Sequence, residues 1–439
     1  MLNEFIDTLT GLGNNVRNRS VFKYLFFSFL IYVFPIMLAD VLYRDDIRRT
    51  LYGDPSTWYK DARPFMAFIV EFFNLGAPVF DIAPLTQILG VAILALALTL
   101  FSRKYLPEHG TKSAILCCMM FIVSPFFLEN LSYHFESLGM CLALALYLIL
   151  FSLPDRIQGA SLFALTFLFS FCVLCLYQAA IGAFGALLFL TGYLKLSKTN
   201  WKQFFTVALY MIAGCLAAVV FYMLLIAPLY VPEKGYQATH SAVIAFSTDG
   251  IRQLVSNIFN FVILLRVTFF TDIRLSGIYL SFALLLISFL SLYIQYKKQE
   301  NCNEPSPGKL FFAFITPFCI LVNAFLPLTF LENTIIMPRS CISFNIFMLF
   351  IGILIISFAK VKPGYRYVLL LFIPIYLFGF GFSYAYGNLL KSQRNYECFI
   401  AESIVTDLQK LKSINNKTVF YVDGNRVVSK EVALAQKKF

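Results

Sequence analysis

Apolar runs of roughly 17 to 25 residues recur along this chain, separated by short polar connections, and this pattern predicts membrane-spanning helices. At about 1.5 Å per helical residue, such a run covers about 30 Å of hydrocarbon. Transmembrane strands would instead alternate apolar and polar positions over segments of about ten residues. The runs divide into eleven expected spans, near 22–42, 84–102, 113–128, 137–153, 159–176, 179–195, 204–228, 276–295, 310–330, 341–359 and 367–386. Only Tyr177 and Gln178 separate the fifth from the sixth. The predicted fold is an all-α polytopic membrane protein, with a membrane domain over 1–386 and a small extracytoplasmic tail over 387–439. In that tail Ile400, Ile404, Leu408 and Leu411 fall at helical spacing, and Thr418 to Val422 reads as a strand.

Two polar stretches interrupt the pattern, over 43–83 and 229–274. The second contains an apolar piece, Leu254 to Phe270, that carries Arg266 and reads as interfacial or re-entrant. No internal repeat of the kind that marks inverted-topology transporters is evident.

Composition strengthens the membrane reading. Of the 439 residues, 59% are hydrophobic and 13% charged, against about 25% charged in soluble domains. The net charge of +11 would raise the question of nucleic acid in a soluble protein. Here the basic residues flank spans, so they are read as orientation signals and no nucleic-acid partner is expected. Arg17, Arg19, Lys23, Arg103, Lys104, Lys112, Arg156, Lys195, Lys198, Lys202, Lys297, Lys298, Lys309, Lys360, Lys362 and Arg366 fall on alternate connections. By the positive-inside rule those connections and the amino terminus are cytoplasmic, and eleven spans put the carboxyl terminus outside. Met1 to Asn18 is polar and lacks a signal-peptide core, so the first span is expected to be retained.

Most of the ten cysteines lie within apolar runs and read as small buried hydrophobes. Cys172 and Cys175 form a C-x-x-C, but apolar neighbours argue against redox or zinc chemistry. Cys341 and Cys398 fall on the outer side, where the compartment permits a disulfide.

Candidate chemistry concentrates between Tyr43 and Pro64. Asp45, Asp46, Asp54 and Asp61 alternate there with Arg44, Arg48, Arg49, Lys60 and Arg63, among Tyr43, Tyr52, Trp58 and Tyr59. An interfacial helix with aromatics at headgroup depth would also produce this mixture. A membrane-borne group transfer needs a carboxylate to take a proton from an attacking hydroxyl and guanidinium forks to hold a lipid phosphate. Adjacent helical residues point about 100° apart, so Asp45 and Asp46 have different jobs, one as base and the other paired with Arg48 or Arg49. Arg266 and Arg339 lie close to hydrocarbon, where an arginine either snorkels to headgroups or finds an anion. His240 and His109 have no spaced partners, so no metal site is expected.

Three strings carry a family resemblance. The first contains Asp45-Asp46, Arg49, Gly53, Trp58 and Arg63-Pro64; the second is Asp81-Ile82-Ala83-Pro84-Leu85 with Gln87. The third is Glu129-Asn130-Leu131-Ser132-Tyr133 with Phe135-Glu136-Ser137. Together they resemble the serotype-converting O-antigen glucosyltransferases, the GtrII-like group, whose members often have Asp at the position of Glu136. The resemblance is clear over about the first 200 residues and extends weakly to the rest.

It implies a GT-C-type architecture with an outward-facing active site and a catalytic acid in the first outer loop. It also implies inverting transfer of glucose from undecaprenyl-phosphate glucose to the O-antigen repeat of lipopolysaccharide, at the periplasmic face of the inner membrane. A carrier-loading synthase and a small flippase would be the cooperating partners, and no cofactor or metal is required. On this reading Asp45 is the expected base and Asp46 the fallback. Arg49, Arg63, Arg266 and Arg339 are candidates for the donor phosphate, and Trp58, Asp81, Glu129, Tyr133 and Glu136 for sugar contacts. A lipid-linked-sugar flippase or an O-antigen polymerase is the alternative. A flippase would carry ionisable residues within several spans, and these spans hold few.

Overall fold

The computed structural model describes residues 15–196, 201–245, 247–270, 307–361, 363–410 and 428–438. Among them the protein is helical, with one isolated bridge between Val243 and Leu331 and no strand. It is an all-α polytopic membrane protein. Seven helical segments are long and apolar enough to cross a bilayer, over 16–39, 85–105, 159–176, 178–195, 202–230, 248–268 and 366–409. Shorter apolar helices cover 64–74, 137–152, 311–323 and 344–360. The expected span at 276–295 and the expected strand at 418–422 lie outside the described residues.

The first helix, α1 (Val16–Ala39), shows how one sequence serves two solvents. Val21, Leu25, Phe29, Tyr32 and Ile36 are buried, while Tyr24, Phe27, Ile31, Phe34 and Leu38 form an exposed stripe at three- and four-residue spacing. The stripe suits lipid, and the buried face meets the bundle. After α1 come α2 (Asp45–Tyr52), α3 (Ser56–Lys60) and α4 (Pro64–Asn74), which fold the first polar stretch into a compact cap. Helix α5 (Leu85–Tyr105) then re-enters the bundle.

The expected span 113–128 is not one helix. Helix α6 (Thr111–Met119) stops, turns carry the chain through Ser124 and Pro125, and a short α7 (Phe127–Ser132) follows. Proline lacks the donor that helix continuation needs and disfavours helical geometry in the residue before it. Irregular backbone at this depth is tolerated only where protein covers it, and residues 126–137 are all buried. This interrupted element runs on to Glu136 and forms the floor beneath the cap.

Helices α8 (Ser137–Ser152), α9 (Gly159–Leu176) and α10 (Gly182–Lys195) complete the inner bundle. The turn expected at Tyr177 and Gln178 separates α9 from a short 3-10 turn leading into α10. Helix α11 (Trp201–Phe221) continues through a π turn at Tyr222–Ile226. The apolar piece read as interfacial or re-entrant belongs to a continuous helix, α12 (Thr248–Phe270), which meets the length and apolarity of a span. Its sequence starts polar and turns apolar, so the run of hydrophobic residues alone underestimates its length.

Helices α13 (Pro307–Asn323), α14 (Phe344–Val361) and α15 (Phe372–Gln409) close the bundle. Helix α15 has 38 residues and passes through Gly387 without a break. It packs on α1 so closely that a Cβ at Gly387 would stand 2.6 Å from the backbone of Pro35. Helix α16 (Lys430–Lys438) returns to α15, where the Ser392 hydroxyl donates to Glu431 at 2.8 Å.

Polar contacts sort the connections to two ends. At one end Arg17 donates to the carbonyl of Leu106, Asp155 bridges Lys104 and Lys195, and Lys360 pairs with Glu108. The opposite end carries the acidic and aromatic cap, so the described connections that hold Arg17, Lys104, Lys195 and Lys360 gather at the end away from it. Cys341 and Cys398 are free thiols, the first buried and the second exposed, and form no disulfide.

Candidate active site

The cap helix α2 begins at a backbone the chain does not adopt freely. Arg44, just before it, has φ +48° and ψ −101°, a left-handed conformation that costs a non-glycine residue about 1–3 kcal/mol. At the other end Gly53 has φ +60° and closes α2 with a hydrogen bond to the carbonyl of Arg49. The Gly53 carbonyl then accepts from Val79, tying α2 to the Asp81 string. Glycine fits this turn because it has no Cβ to strain a positive φ.

One face of α2 is buried and the other is exposed. Asp46 and Arg49 point inward and are 0% and 4% exposed, whereas Asp45 and Arg48 lie on the surface. The two adjacent aspartates therefore occupy different environments, as helical geometry requires.

Asp46 Oδ2 accepts from the backbone amide of His134 at 2.8 Å and from that of Tyr43 at 3.3 Å. Its other oxygen faces Arg49 at 3.8 Å and has no hydrogen-bond donor. Burial pushes the Asp46 carboxyl up to about 7; the nearby Glu136 adds to the rise, while the His134 amide and Arg49 oppose it.

Glu136 is the centre of the buried network. Its Oε1 accepts from Trp58 Nε1 at 2.8 Å and pairs with Arg49 Nη2 at 2.5 Å; its Oε2 stands 3.5 Å from Arg63. Burial works against its charge, but Arg49, Arg63 and the Trp58 donor outweigh that and hold its pKa below the ordinary value. The guanidinium of Arg49 also lies 4.4 Å from the centre of the Trp58 ring. Arg63 donates from Nε to Gln178 at 2.8 Å, and Gln178 donates to the Asp61 carbonyl and to Tyr222. Cap, interrupted element and the π turn at Tyr222 are thus joined by ion pairs and hydrogen bonds.

Asp81 lies beside this network. Its Oδ1 caps the Ala83 amide, and its Oδ2 meets His134 Nδ1 at 2.6 Å. Burial acts to lower the His134 pKa, but the Asp81 hydrogen bond and charge, helped by Asp46, raise it. Burial raises and the same hydrogen bond lowers the Asp81 pKa, and the net direction is down. These contacts make Asp81 a local cap joined to a histidine.

A second group forms the rim. Buried Glu129 accepts from the Tyr43 hydroxyl at 3.3 Å and from the Arg339 backbone amide at 2.8 Å, with Arg44 at 3.7 Å. The carbonyl of Arg339 accepts from Tyr177 and Asn130. These bonds fix the Arg339 backbone and aim its guanidinium over the Tyr133 ring, 5.4 Å from the centroid. Arg339 Nη1 is buried without a hydrogen-bond partner. Burial lowers the Arg339 pKa, against the attraction of Glu129 and Asp45.

Asp45 therefore stands at the rim within electrostatic reach of Arg44 and Arg339. Among the described residues no hydrogen bond or ion pair engages its carboxylate. Arg266 is exposed on α12 and is not joined to this site by a hydrogen bond or ion pair among the described residues. The other ten candidates, Asp45, Asp46, Arg49, Trp58, Arg63, Asp81, Glu129, Tyr133, Glu136 and Arg339, come together.

Sequence reasoning gave no role to His134, Gln178, Tyr177 or Arg44. Gln178 offered one cue, as the lone amide side chain in an otherwise apolar turn. Among the described residues no group of three His, Cys, Asp or Glu side chains is placed to hold a metal ion. Arginine is the available countercharge.

Residues 34–356 match the family described as Glucosyl transferase GtrII. A protein of Salmonella phage P22, described as an uncharacterized 55.3 kDa protein in the gtrB 5′ region, is 31% identical over 235 residues. That alignment covers 53% of this chain and 47% of the relative, so the chain matches about half the length of that protein. No solved structure matches.

Proposed function

Because this chain belongs to the Glucosyl transferase GtrII family, and so is a membrane glycosyltransferase, we propose that it transfers glucose from a polyprenyl-phosphate carrier to O-antigen with inversion at the anomeric carbon. The observation that carries this reading is the rim, where an exposed Asp45 carboxylate lies within electrostatic reach of the half-buried Arg339 guanidinium.

In this mechanism the acceptor hydroxyl attacks C1 of glucose while Asp45 takes its proton. The new C1–oxygen bond forms as the bond from C1 to the phosphate oxygen breaks from the opposite face. The lipid phosphate leaves with that electron pair, and the Arg339 guanidinium meets the charge. One base suffices because no covalent intermediate forms, as in the analogous inverting glycosidases. Asp46 serves as a positioning residue. It holds the His134 and Tyr43 amides and so fixes the start of α2, on which Asp45 sits. Glu136, Arg49 and Trp58 lock the same helix from below.

The same reading places the enzyme in the inner membrane as a GT-C-type transferase with its amino terminus cytoplasmic and the site periplasmic. A carrier synthase and a flippase supply the donor, and metal is dispensable. The test is transfer in proteoliposomes supplied with undecaprenyl-phosphate glucose and lipid-linked O-antigen. Asp45→Asn should lower kcat at least about 100-fold, the size of general-base catalysis. Normal turnover by this variant rejects the base assignment, and retention of the anomeric configuration rejects the single-step mechanism.

A further inference from the structure

Beside the rim, Arg48, Arg49, Tyr52, Asp54 and Thr57 enclose a cavity of about 340 Å³, within the span of roughly 300–1,000 Å³ usual for small-ligand sites. The proposed mechanism uses Asp45 on the same helix but not this cavity. Asp45, Arg48 and Tyr52 are spaced i, i+3 and i+7 and share the exposed side of α2. The cavity begins about one turn from Asp45, and Tyr52 lies about 10 Å along the axis from it.

The accessible polar lining is Arg48, Asp54 and Tyr52, all exposed, whereas the buried Arg49 turns its guanidinium inward to Asp46 and Glu136. Asp54 accepts from the Ser56 amide and hydroxyl, contacts that fix its carboxylate at the cavity edge. Tyr52 is 73% exposed and offers a flat apolar face with a polar tip.

We propose that this cavity is an acceptor subsite that binds a sugar residue next to the one being glucosylated. This deepens the glycosyltransfer reading and rests on it. The Arg48 guanidinium and the Asp54 carboxylate match vicinal sugar hydroxyls, which both donate and accept. An aromatic face suits the apolar side of a pyranose ring. The fixed Asp54 charge disfavours a phosphate, because like charges in one cavity repel. Holding the neighbouring sugar would set which acceptor hydroxyl reaches Asp45.

The test measures binding and transfer separately on the full-length protein in nanodiscs. The probe is the O-antigen repeat oligosaccharide freed of its lipid, detected by saturation-transfer NMR. Tyr52→Ala, Arg48→Ala and Asp54→Ala, all at exposed positions, should each weaken glycan binding about tenfold, the scale of one lost charge-assisted hydrogen bond or comparable contact. In the transfer assay the acceptor KM should rise by a similar factor while the donor KM stays constant, and Tyr52→Phe should retain binding.

Glycan binding that is absent from the wild type, or equal in wild type and all three alanine variants, overturns the subsite. So does competition by inorganic phosphate that disappears in Arg48→Ala, because the cavity would then be an anion site. If the wild type binds the glycan in a Tyr52-dependent way but transfers no glucose, the subsite stands and the transfer reading fails. If it transfers glucose with acceptor KM unchanged in all three variants, the reverse holds.

Discussion

Asp46→Asn should stabilise the protein above neutral pH, although it removes a residue from the centre of the site. Burial is the main cause of the Asp46 carboxyl's rise from 3.8 to about 7. Between those values the folded protein keeps a proton that the unfolded chain has released, so stability falls as pH rises through the window. The cost starts near pH 4 and is complete above about pH 7. The interval from 3.8 to about 7 corresponds, at about 1.36 kcal/mol per tenfold, to about 4 kcal/mol. Asp46 is 0% exposed, so solvent does not dilute the effect. Asparagine keeps the shape and can still accept from the His134 amide, but it carries no charge. The assay is thermal and denaturant unfolding of wild type and variant in one detergent at pH 4, 6 and 8.5. The stability difference should be near zero at pH 4 and favour the variant by up to about 4 kcal/mol at pH 8.5. A difference that does not change with pH, or a variant less stable at pH 8.5, refutes the burial argument.

Glu136→Ala should cost about 3–5 kcal/mol, because it leaves the Arg49 and Arg63 charges without their buried counterion. Glu136→Gln should cost less, since it keeps an acceptor for Trp58, and equal unfolding free energies for wild type and the alanine variant would contradict the network. The depressed Glu136 pKa makes its contribution present above its ordinary value of 4.5 and lost as pH falls through the lower folded value. Removing the partner of His134 by Asp81→Asn should lower the histidine's pKa, because burial then acts without the opposing carboxylate. Its imidazole proton shift, followed by NMR titration, reads this directly, and an unmoved midpoint rejects the pair. The His134 contribution is full below 6.5 and disappears as pH rises through the elevated value, so Asp81→Asn should destabilise more at pH 6 than at pH 9. Arg339→Ala should raise the donor KM about tenfold or more while Arg339→Lys recovers part of it, and unchanged donor kinetics would remove Arg339 from the phosphate role.

Hydrophobic periodicity located most helices because lipid-facing stripes such as Tyr24, Phe27, Ile31, Phe34 and Leu38 leave a direct record in the chain. It failed where backbone geometry, not hydropathy, decides the outcome. The run over 113–128 is apolar enough for a span, but the helix ends at Met119, the chain turns through Pro125, and surrounding protein hides the break. The start of α12 is polar, so an apolar-run criterion places its boundary too late. Site residues were legible as a mixture of acids, arginines and aromatics, and helical geometry anticipated that Asp45 and Asp46 face different ways. What sequence could not convey was long-range pairing: Glu136 reaches Trp58 across 78 positions, and Arg339 joins Glu129 across 210. A backbone amide such as that of His134 leaves no signature in composition at all.

The distribution of satisfied and unsatisfied groups separates support from chemistry. Buried polar groups in a folded protein normally find partners, and Glu136, Glu129 and Asp81 each accept two or more contacts. Those acids are committed to holding helices together, and their charges are answered by Arg49, Arg63, Arg44 and His134. By contrast, among the described residues no hydrogen bond or ion pair engages the exposed carboxylate of Asp45, and the exposed Arg48 and Tyr52 line the cavity beside α2. On the proposed reading Asp45 is the base, Arg339 the leaving-group contact, and Arg48 with Tyr52 the acceptor contacts. A site arranged this way is preorganised, because Glu136, Glu129 and Asp81 are already paired before a substrate arrives. It follows that substitutions in the supporting acids should alter unfolding and turnover together. Substitution of Asp45 or of Tyr52 should alter turnover or acceptor affinity without moving the unfolding transition, and a coupled loss at those two positions would contradict the division.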